Sequence, residues 1–572
     1  MPSARKRWII AEANPLVERR LQDEVGVGPI TARVLAARGL TDPAHVERFF
    51  HPRLQDLPHP HLMRDAEKAA GRIADALERG ETIVVFGDYD ADGVTASSVV
   101  ADFMRNMGHP VRVYIPHRVE EGYGMQPGAV QELAAAGCSL LITVDCGSND
   151  TPAITRAAEL GVDTVVTDHH EIDGPLPPAF AMLNPHQADC GFHEEPLAGV
   201  GVAFFLVAAV RIELAKRGHE VADRFDMKRL LDLVALGTVA DIVPLVGVNR
   251  ALVTAGLKLI DEAARPGIAA LKRVAGVGSP VRAGDIGYRL APRINAAGRM
   301  GDASVGVDLL LTDDPAKARA IAQQLHEENT KRQAVEATIF AEARRMFTSI
   351  NGHERLRSIV LAHPQWHPGV IGIVASRMVE AFHRPTVLIA ARGEVGQGSG
   401  RSISAFNLHE AVSACASHLE GCGGHAQAAG LQIRPENIVA FAQAFEEHTR
   451  GVLQTEDLAP RQHVDAWCEI DEISESLVRE LGQLAPFGCG NPEPVLAARD
   501  VEVLNKQIVG RDHLKMRIPC RRSALAVIAY GFAPMSQEIG SRIDLAFTPE
   551  FSYYGGVEHV QLRAKDLAIP DK

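Results

Sequence analysis

The sequence predicts an α/β protein. A parallel-sheet domain is joined by a long helix to a second α/β domain, and a β-barrel follows at the C-terminal end. Three observations carry this expectation. In the first half, short runs that are apolar nearly throughout alternate with helical stretches, the pattern of a parallel sheet covered on both faces. Over 316–347 a charged stretch sets apolar residues four apart, as a long solvated helix does. Beyond 457 the pattern becomes alternating, as in Leu514-Lys515-Met516-Arg517-Ile518, which fits half-buried strands of a small barrel.

Taken in order, the elements divide the chain as follows. Residues 1–65 read as an N-terminal helical region ending near the proline-rich Leu57-Pro58-His59-Pro60. A first α/β domain spans 66–312, with strands predicted at 82–86, 111–115, 139–144 and 163–167. Helical stretches at 99–107 and 152–160 separate some of them, and Pro152 suits a first helical position. The linker helix covers 313–348, with Ile321 and Leu325, then Val335 and Ile339, on an apolar stripe. A second α/β domain spans 349–452, with strands at 358–362 and 386–390, a helix at 370–382, and glycine-rich loops after them. Residues 453–572 form the β-rich barrel domain.

Composition narrows the function classes. At 572 residues, 46% hydrophobic and 23% charged, the chain is globular and long enough for three or four domains. Eight cysteines without a CxxC pair exclude a thiolate zinc site and read as small buried hydrophobes. No apolar run reaches membrane-spanning length and the start lacks a signal-peptide core, so the chain reads as cytoplasmic with no membrane role. The net charge of −13 argues against an overall nucleic-acid coat but leaves room for a local basic groove.

The acids are the most informative residues. The first strand runs into Gly87-Asp88-Tyr89-Asp90-Ala91-Asp92-Gly93, the third ends at Asp145-Cys146-Gly147, and the fourth ends at Asp168-His169-His170. In an open parallel sheet the carboxyl ends of strands line one edge, where ligands bind. Asp241, ending an apolar helix in Leu236-Gly237-Thr238-Val239-Ala240-Asp241, could reach the same crevice. Each piece alone has a plain explanation: a calcium loop or polar turn, a capping aspartate, surface histidines. Their conjunction in one βαβ series does not. Carboxylates crowded in scarce water need a counter-charge, and oxygen ligands plus an imidazole suit Mn²⁺ or Mg²⁺. Two such ions would clamp a phosphoryl group and activate a water.

These motifs resemble a known family. GDYDADG, VDCGSN, TDHHE and GTVADIVPL, in this order, are similar to the DHH phosphoesterase superfamily. WHPGVIGIVASR at 366–377 and GGHAQAAG at 423–430 resemble its companion substrate-binding (DHHA1-type) domain. With RINAAGR at 293–299 and the β-rich end, the full set resembles the branch that degrades single-stranded DNA from the 5′ end, whose last domain is an OB-fold. The resemblance implies two Mn²⁺ or Mg²⁺ ions held by Asp90, Asp92, the bridging Asp145, His169 and Asp241, with Asp88 also in the motif. It implies that Asp168 orients the adjacent imidazole and that His170 contacts the scissile phosphate. Arg118, Ser399 and Arg401 would hold a terminal 5′-phosphate, Arg293 and Arg299 would touch phosphates near the metals, and His425 would contact a phosphate.

In the C-terminal domain, Lys506, Arg511, Lys515, Arg517, Arg521 and Arg522 with Phe532, Phe551, Tyr553 and Tyr554 offer a basic, aromatic track for a single strand. The expected activity is metal-dependent 5′→3′ exonucleolysis of single-stranded DNA to 5′-mononucleotides in recombination and repair. Partners implied by the resemblance are a helicase and single-strand-binding protein, with the chain as a monomer. Two other readings stay open at this point. One is a phosphodiesterase of small nucleotides or oligoribonucleotides, which needs no C-terminal track. The other is a non-catalytic scaffold, which would not need every metal-ligand position filled.

Overall fold

A computed structural model describes residues 6–569 except 119–120, 123, 193–194, 522 and 555. Arg522 and the Tyr554 side chain, two members of the expected basic and aromatic track, lie outside the described residues. By internal contacts the chain forms two units. One comprises 51–332 with 486–492, the other 1–50 with 333–485 and 493–572.

The first unit is built on a five-stranded parallel sheet. Its strands are β1 (Ile83–Gly87), β2 (Arg112–Tyr114), β3 (Leu140–Val144), β4 (Asp163–Thr167) and β5 (Ala181–Leu183), in the order β2-β1-β3-β4-β5. The expected strands form; β5, three residues long, is too short to show a pattern. β1 and β3 are buried along their whole length. Ile83, Val85, Leu140 and Ile142 face the larger core, while Val84, Phe86, Leu141 and Val166 face a second core on the other side. That two-sided cover is why these strands read as continuous apolar runs. The strand order reverses between β1 and β3, which makes their carboxyl ends the switch point where such sheets open a crevice.

Helices fill the rest of this unit. Those used below are α1 (Ala91–Asn106), α2 (Gly199–Lys216), α3 (Leu231–Ala240) and α4 (Ala291–Met300). α1 begins eight residues before the sequence pattern suggested, because its first turn is built from the acidic motif itself. A buried ion network ties α1 to α3 at the ends away from that motif. Arg265 Nε lies 2.9 Å from Asp232 Oδ2 on α3, and its Nη1 lies 3.7 Å from Asp102 Oδ1 on α1. Arg105 also meets Asp102 at 3.1 Å.

α5 (Pro315–Ser349) is the expected long helix, with Leu325, Ile339 and Phe347 buried. In the second unit, β6 (Ile359–His363) and β7 (Thr386–Ala390) pair in parallel through α6 (Pro368–Phe382). The expected glycine-rich loops are instead strands: β8 (Gly396–Arg401), β9 (Gly421–His425) and β10 (Ala428–Ile433), all antiparallel, complete a five-stranded sheet in the order β9-β10-β8-β7-β6. Glycine normally weakens strands, but here close packing demands it. A Cβ on Gly398 would stand 2.5 Å from Leu431, and one on Gly400 2.9 Å from Leu408.

The C-terminal segment forms a seven-stranded sheet running from Ala466–Trp467 to Asn505–Val509. Leu514, Met516 and Ile518 are buried while Lys515 and Arg517 are exposed, as the alternation required. The N-terminal region has its helices, at Pro15–Val25, Pro29–Ala37 and Pro43–Phe50, and also a strand that was not expected. Arg7–Ile10 pairs in parallel with Arg461–Val464, and Trp8 donates to Asp566 at 2.7 Å. Four residues whose partner lies at the far end of the chain leave no local signature. Six of the eight cysteines are buried, as expected of most of them; Cys422 and Cys489 are exposed. Among the described residues no helix is long and apolar enough to cross a membrane.

The network around Arg265 gives a stability prediction. Arg265→Ala would leave Asp232 buried without its partner, and loss of about 3 kcal/mol is expected, read as a lowered urea midpoint.

Candidate metal centre

The acids expected at the sheet edge do converge. Asp88 follows β1 directly; Asp90 caps α1, its carboxylate accepting the N–H groups of Asp92 at 2.8 Å and Gly93 at 3.2 Å. Asp92 is buried and accepts N–H groups from the first turn of α2, Gly199 at 2.7 Å and Val200 at 2.9 Å. A helix N-terminus thus supports its negative charge. Asp145 follows β3 in the left-handed region, at φ 61°, and is 2% exposed. Aspartate tolerates that conformation better than most residues.

His169 Nε2 sits among the carboxylates, 3.2 Å from Asp145 Oδ1, 3.5 Å from Asp241 Oδ2 and 4.0 Å from Asp92 Oδ2. Ligand atoms fall into overlapping groups, each within 4.8 Å: Asp92, His169 and Asp241; Asp88, Asp90 and Asp145; Asp145, His169 and His170. Asp90 and Asp92 belong to different groups, and Asp145 is shared.

Electrostatics show how unfavourable this cluster is on its own. Burial, then Asp90, pushes Asp88 up to about 8 and Asp92 up to about 7. Burial, then Asp92, raises Asp241 to about 9 and lifts Asp145 well above the carboxylate range. Burial, then His170, lowers His169 to about 4, so its imidazole is neutral and able to ligate. Asp88 Oδ1, Asp145 Oδ1 and His169 Nε2 are buried without hydrogen-bond partners. Buried polar atoms ordinarily have partners. Unpartnered carboxylate oxygens beside a neutral imidazole fit a hard divalent cation of the Mn²⁺ or Mg²⁺ type.

Asp168 has a different part. One oxygen accepts the Ser148 N–H at 2.9 Å; the other accepts the His169 and His170 N–H groups and holds His170 Nδ1 at 2.8 Å. The ring it orients is therefore that of His170, not of the adjacent His169. Burial opposes a charge on His170, but Asp168 outweighs it and raises the imidazole to about 9.

The arginines are placed unequally. Arg118 stacks its guanidinium 4.8 Å over the Tyr89 ring, within the electrostatic reach of Asp88. Arg299, in the last turn of α4, acts on the same tyrosine. The Arg293 guanidinium bonds the Arg289 carbonyl and meets His326 Nδ1 at 3.2 Å.

In the second unit, register places Ser399 and Arg401 two apart on β8, and Arg401, Ala428 and His425 opposite one another across β8, β10 and β9. Opposed residues point to the same face. Arg401 Nη1 also meets Ser399 Oγ at 3.3 Å, and a Cβ on Gly372 of α6 would crowd that hydroxyl at 2.9 Å. His425 ends a strand rather than a tight turn. Among the expected DNA-track residues, Lys506 donates to the carbonyls of Ser536 and Ile539, the Arg521 N–H donates to Asp471, Phe551 lies under Arg479, and Tyr553 donates to Glu558.

Several supporting residues had no signal of their own in the sequence. Gly199 must be glycine because a Cβ would stand 2.6 Å from Asp145 Cβ. The Asn295 carboxamide accepts the Ala91 N–H at 2.7 Å, pinning the acidic loop to α4. The Cys489 carbonyl accepts the Leu245 N–H, securing the exit of the Asp241 segment.

This scaffold and site are those of a DHH-type protein. The DHH family N-terminal domain matches residues 82–238, the DHHA1 domain 356–450, and the RecJ OB domain 464–566. The single-stranded-DNA-specific exonuclease RecJ of Escherichia coli is 36% identical over 94% of this chain and 92% of its own. That of Bacillus subtilis is 34% identical over all of this chain and 72% of its own. The crystal structure of RecJ from Thermus thermophilus in complex with Mn²⁺ matches with a TM-score of 0.86 at 30% identity, over 99% of this chain and 80% of that one. The chain belongs to the RecJ family.

Gly237 supplies the test of this geometry. On α3, a Cβ there would stand 2.2 Å from Thr95 Oγ and 2.8 Å from Asp92 Oδ1. Gly237→Ala is expected to displace Asp92 and weaken binding of divalent cation at least tenfold, measured by calorimetric titration.

Proposed function

We propose that this chain is a 5′→3′ exonuclease that hydrolyses single-stranded DNA to 5′-mononucleotides with two Mn²⁺ or Mg²⁺ ions. The observation that carries the reading is a cluster of carboxylates and histidines in three overlapping groups, with buried oxygens of Asp88 and Asp145 unpartnered, at the switch point of a parallel sheet. The RecJ relatives are named single-stranded-DNA-specific exonucleases, and a solved one is in complex with Mn²⁺.

Asp92, His169 and Asp241 would hold one ion and Asp88 and Asp90 the other, with Asp145 between them. When bound, the ions supply Lewis acidity toward a phosphate oxygen and a water made acidic enough to attack. His170, kept charged by Asp168 on Nδ1, would donate from Nε2 to a non-bridging oxygen and stabilise the negative charge that develops there. Arg118, stacked on Tyr89, and Arg299, which acts on the same tyrosine, would hold phosphates of the strand. Ser399, Arg401 and His425 share a face rich in glycine, where a phosphate could approach the backbone closely, and they would hold the terminal 5′-phosphate. Exposed Lys515 and Arg517 would carry the strand over the C-terminal sheet. The same reading places the chain in the cytoplasm in recombination and repair, as a monomer beside a helicase and single-strand-binding protein.

Two outcomes are expected. Asp145→Ala should lower mononucleotide release by at least a thousandfold in Mn²⁺ while single strands still bind; retained turnover would remove the shared-ligand assignment. Arg401→Ala should erase most of the preference for 5′-phosphorylated over 5′-hydroxyl oligonucleotides, measured as a ratio of kcat/KM values.

A further inference from the structure

We infer that Tyr288 is a base-stacking platform for the strand whose phosphate reaches the carboxylate cluster, with Ile242 an aliphatic face on the same flank. The inference rests on the strand-cleaving reading above.

Residues Ile286–Leu290 form one turn of π-helix. Such turns hold an extra residue and recur at functional sites. The two ends, Ile286 and Leu290, are fully buried, so the turn is pinned. Between them Tyr288 is 88% exposed. The turn lies on the last turn of α3, since a Cβ on Gly287 would stand 3.9 Å from Val239. Asp241 caps that same end, and its Oδ2 is 3.5 Å from His169 Nε2.

Ile242 comes next, and its conformation is unusual. A β-branched residue stands at φ 63°, in the left-handed region, with 72% of its surface exposed. Left-handed backbone is costly for such a residue, and exposure leaves no burial to offset the cost. Strain of this kind persists where a side chain is needed for something other than stability. Tyr288 and Ile242 therefore present an exposed ring and an exposed aliphatic side chain beside the segment that delivers Asp241. Arg282 and Arg289 add positive charge along the π-helical segment, Arg289 in partnership with Asp285.

A single strand suits this arrangement. A base next to a phosphate at the cluster lies within a nucleotide's length of the Asp241 segment, and its flat face can stack on a ring whatever its sequence.

The test uses the full chain with Mn²⁺ and a 5′-phosphorylated, phosphorothioate-linked oligo(dT) carrying one 2-aminopurine at successive positions. Tyr288→Ala should weaken binding roughly five- to hundredfold and abolish the fluorescence quench at one position, whereas Tyr288→Phe should keep both. Ile242→Gly should weaken binding while the Tm stays equal or rises, because glycine accepts the backbone conformation without strain. Unchanged affinity and quench at every position in Tyr288→Ala would overturn the stacking role. A fall in Tm for Ile242→Gly would overturn the argument from strain. Should the unaltered protein release no mononucleotides from an ordinary oligonucleotide, the strand-cleaving reading itself falls; should it release them while Tyr288→Ala binds normally, only this inference falls.

Discussion

Mutual repulsion among buried carboxylates is the constraint around which the first unit is organised. Asp88, Asp92 and Asp145 are nearly inaccessible to water; Asp90 raises the proton affinity of all three, and Asp92 and Asp88 raise that of Asp145 further. No fold places such groups together for stability. The scaffold therefore supplies positive ends of dipoles where it can. The first turn of α2 points two N–H groups at Asp92, and the first turn of α1 gives two to Asp90. Oxygens that receive none of this face inward, toward the space two cations would fill. The glycines at 199 and 237 let helices approach until backbone and carboxylate touch.

The second unit solves a different problem with the same residue. Gly423 in β9 and Gly430 in β10 leave the face on which Ser399, Arg401 and His425 stand nearly bare, while Gly398 and Gly400 in β8 serve the core on the other side. An arginine, a hydroxyl and an imidazole thus stand together on nearly bare backbone.

Much of this was legible in the sequence because strand ends are readable. Apolar runs of five residues marked β1, β3 and β4, and the acids immediately after them fell where a parallel sheet opens. The charged helix and the alternation around Met516 were equally plain. What was hidden depended on contacts remote in sequence. β8 to β10 looked like loops because glycine is a poor strand former until packing requires it. That Arg293 meets His326 was hidden too, because an arginine in a motif carries no sign of a partner 33 residues on. Asp168 was read as serving its immediate neighbour, whereas the local turn brings the ring of His170 to it instead.

The strand Arg7–Ile10 bears on how the protein is made. Its partner, Arg461–Val464, leaves the ribosome roughly 450 residues later, about 20 to 90 seconds at ordinary rates of synthesis. Throughout that interval Trp8 and Ile10 have no apolar surface of their own to join. Most of the cation-binding unit, 51–332, emerges meanwhile and can assemble first, as an insertion inside an unfinished one. A nascent chain released early would thus carry its nuclease half folded and an orphaned amino-terminal strand. That exposed edge would mark incomplete copies for removal by the cell's proteases.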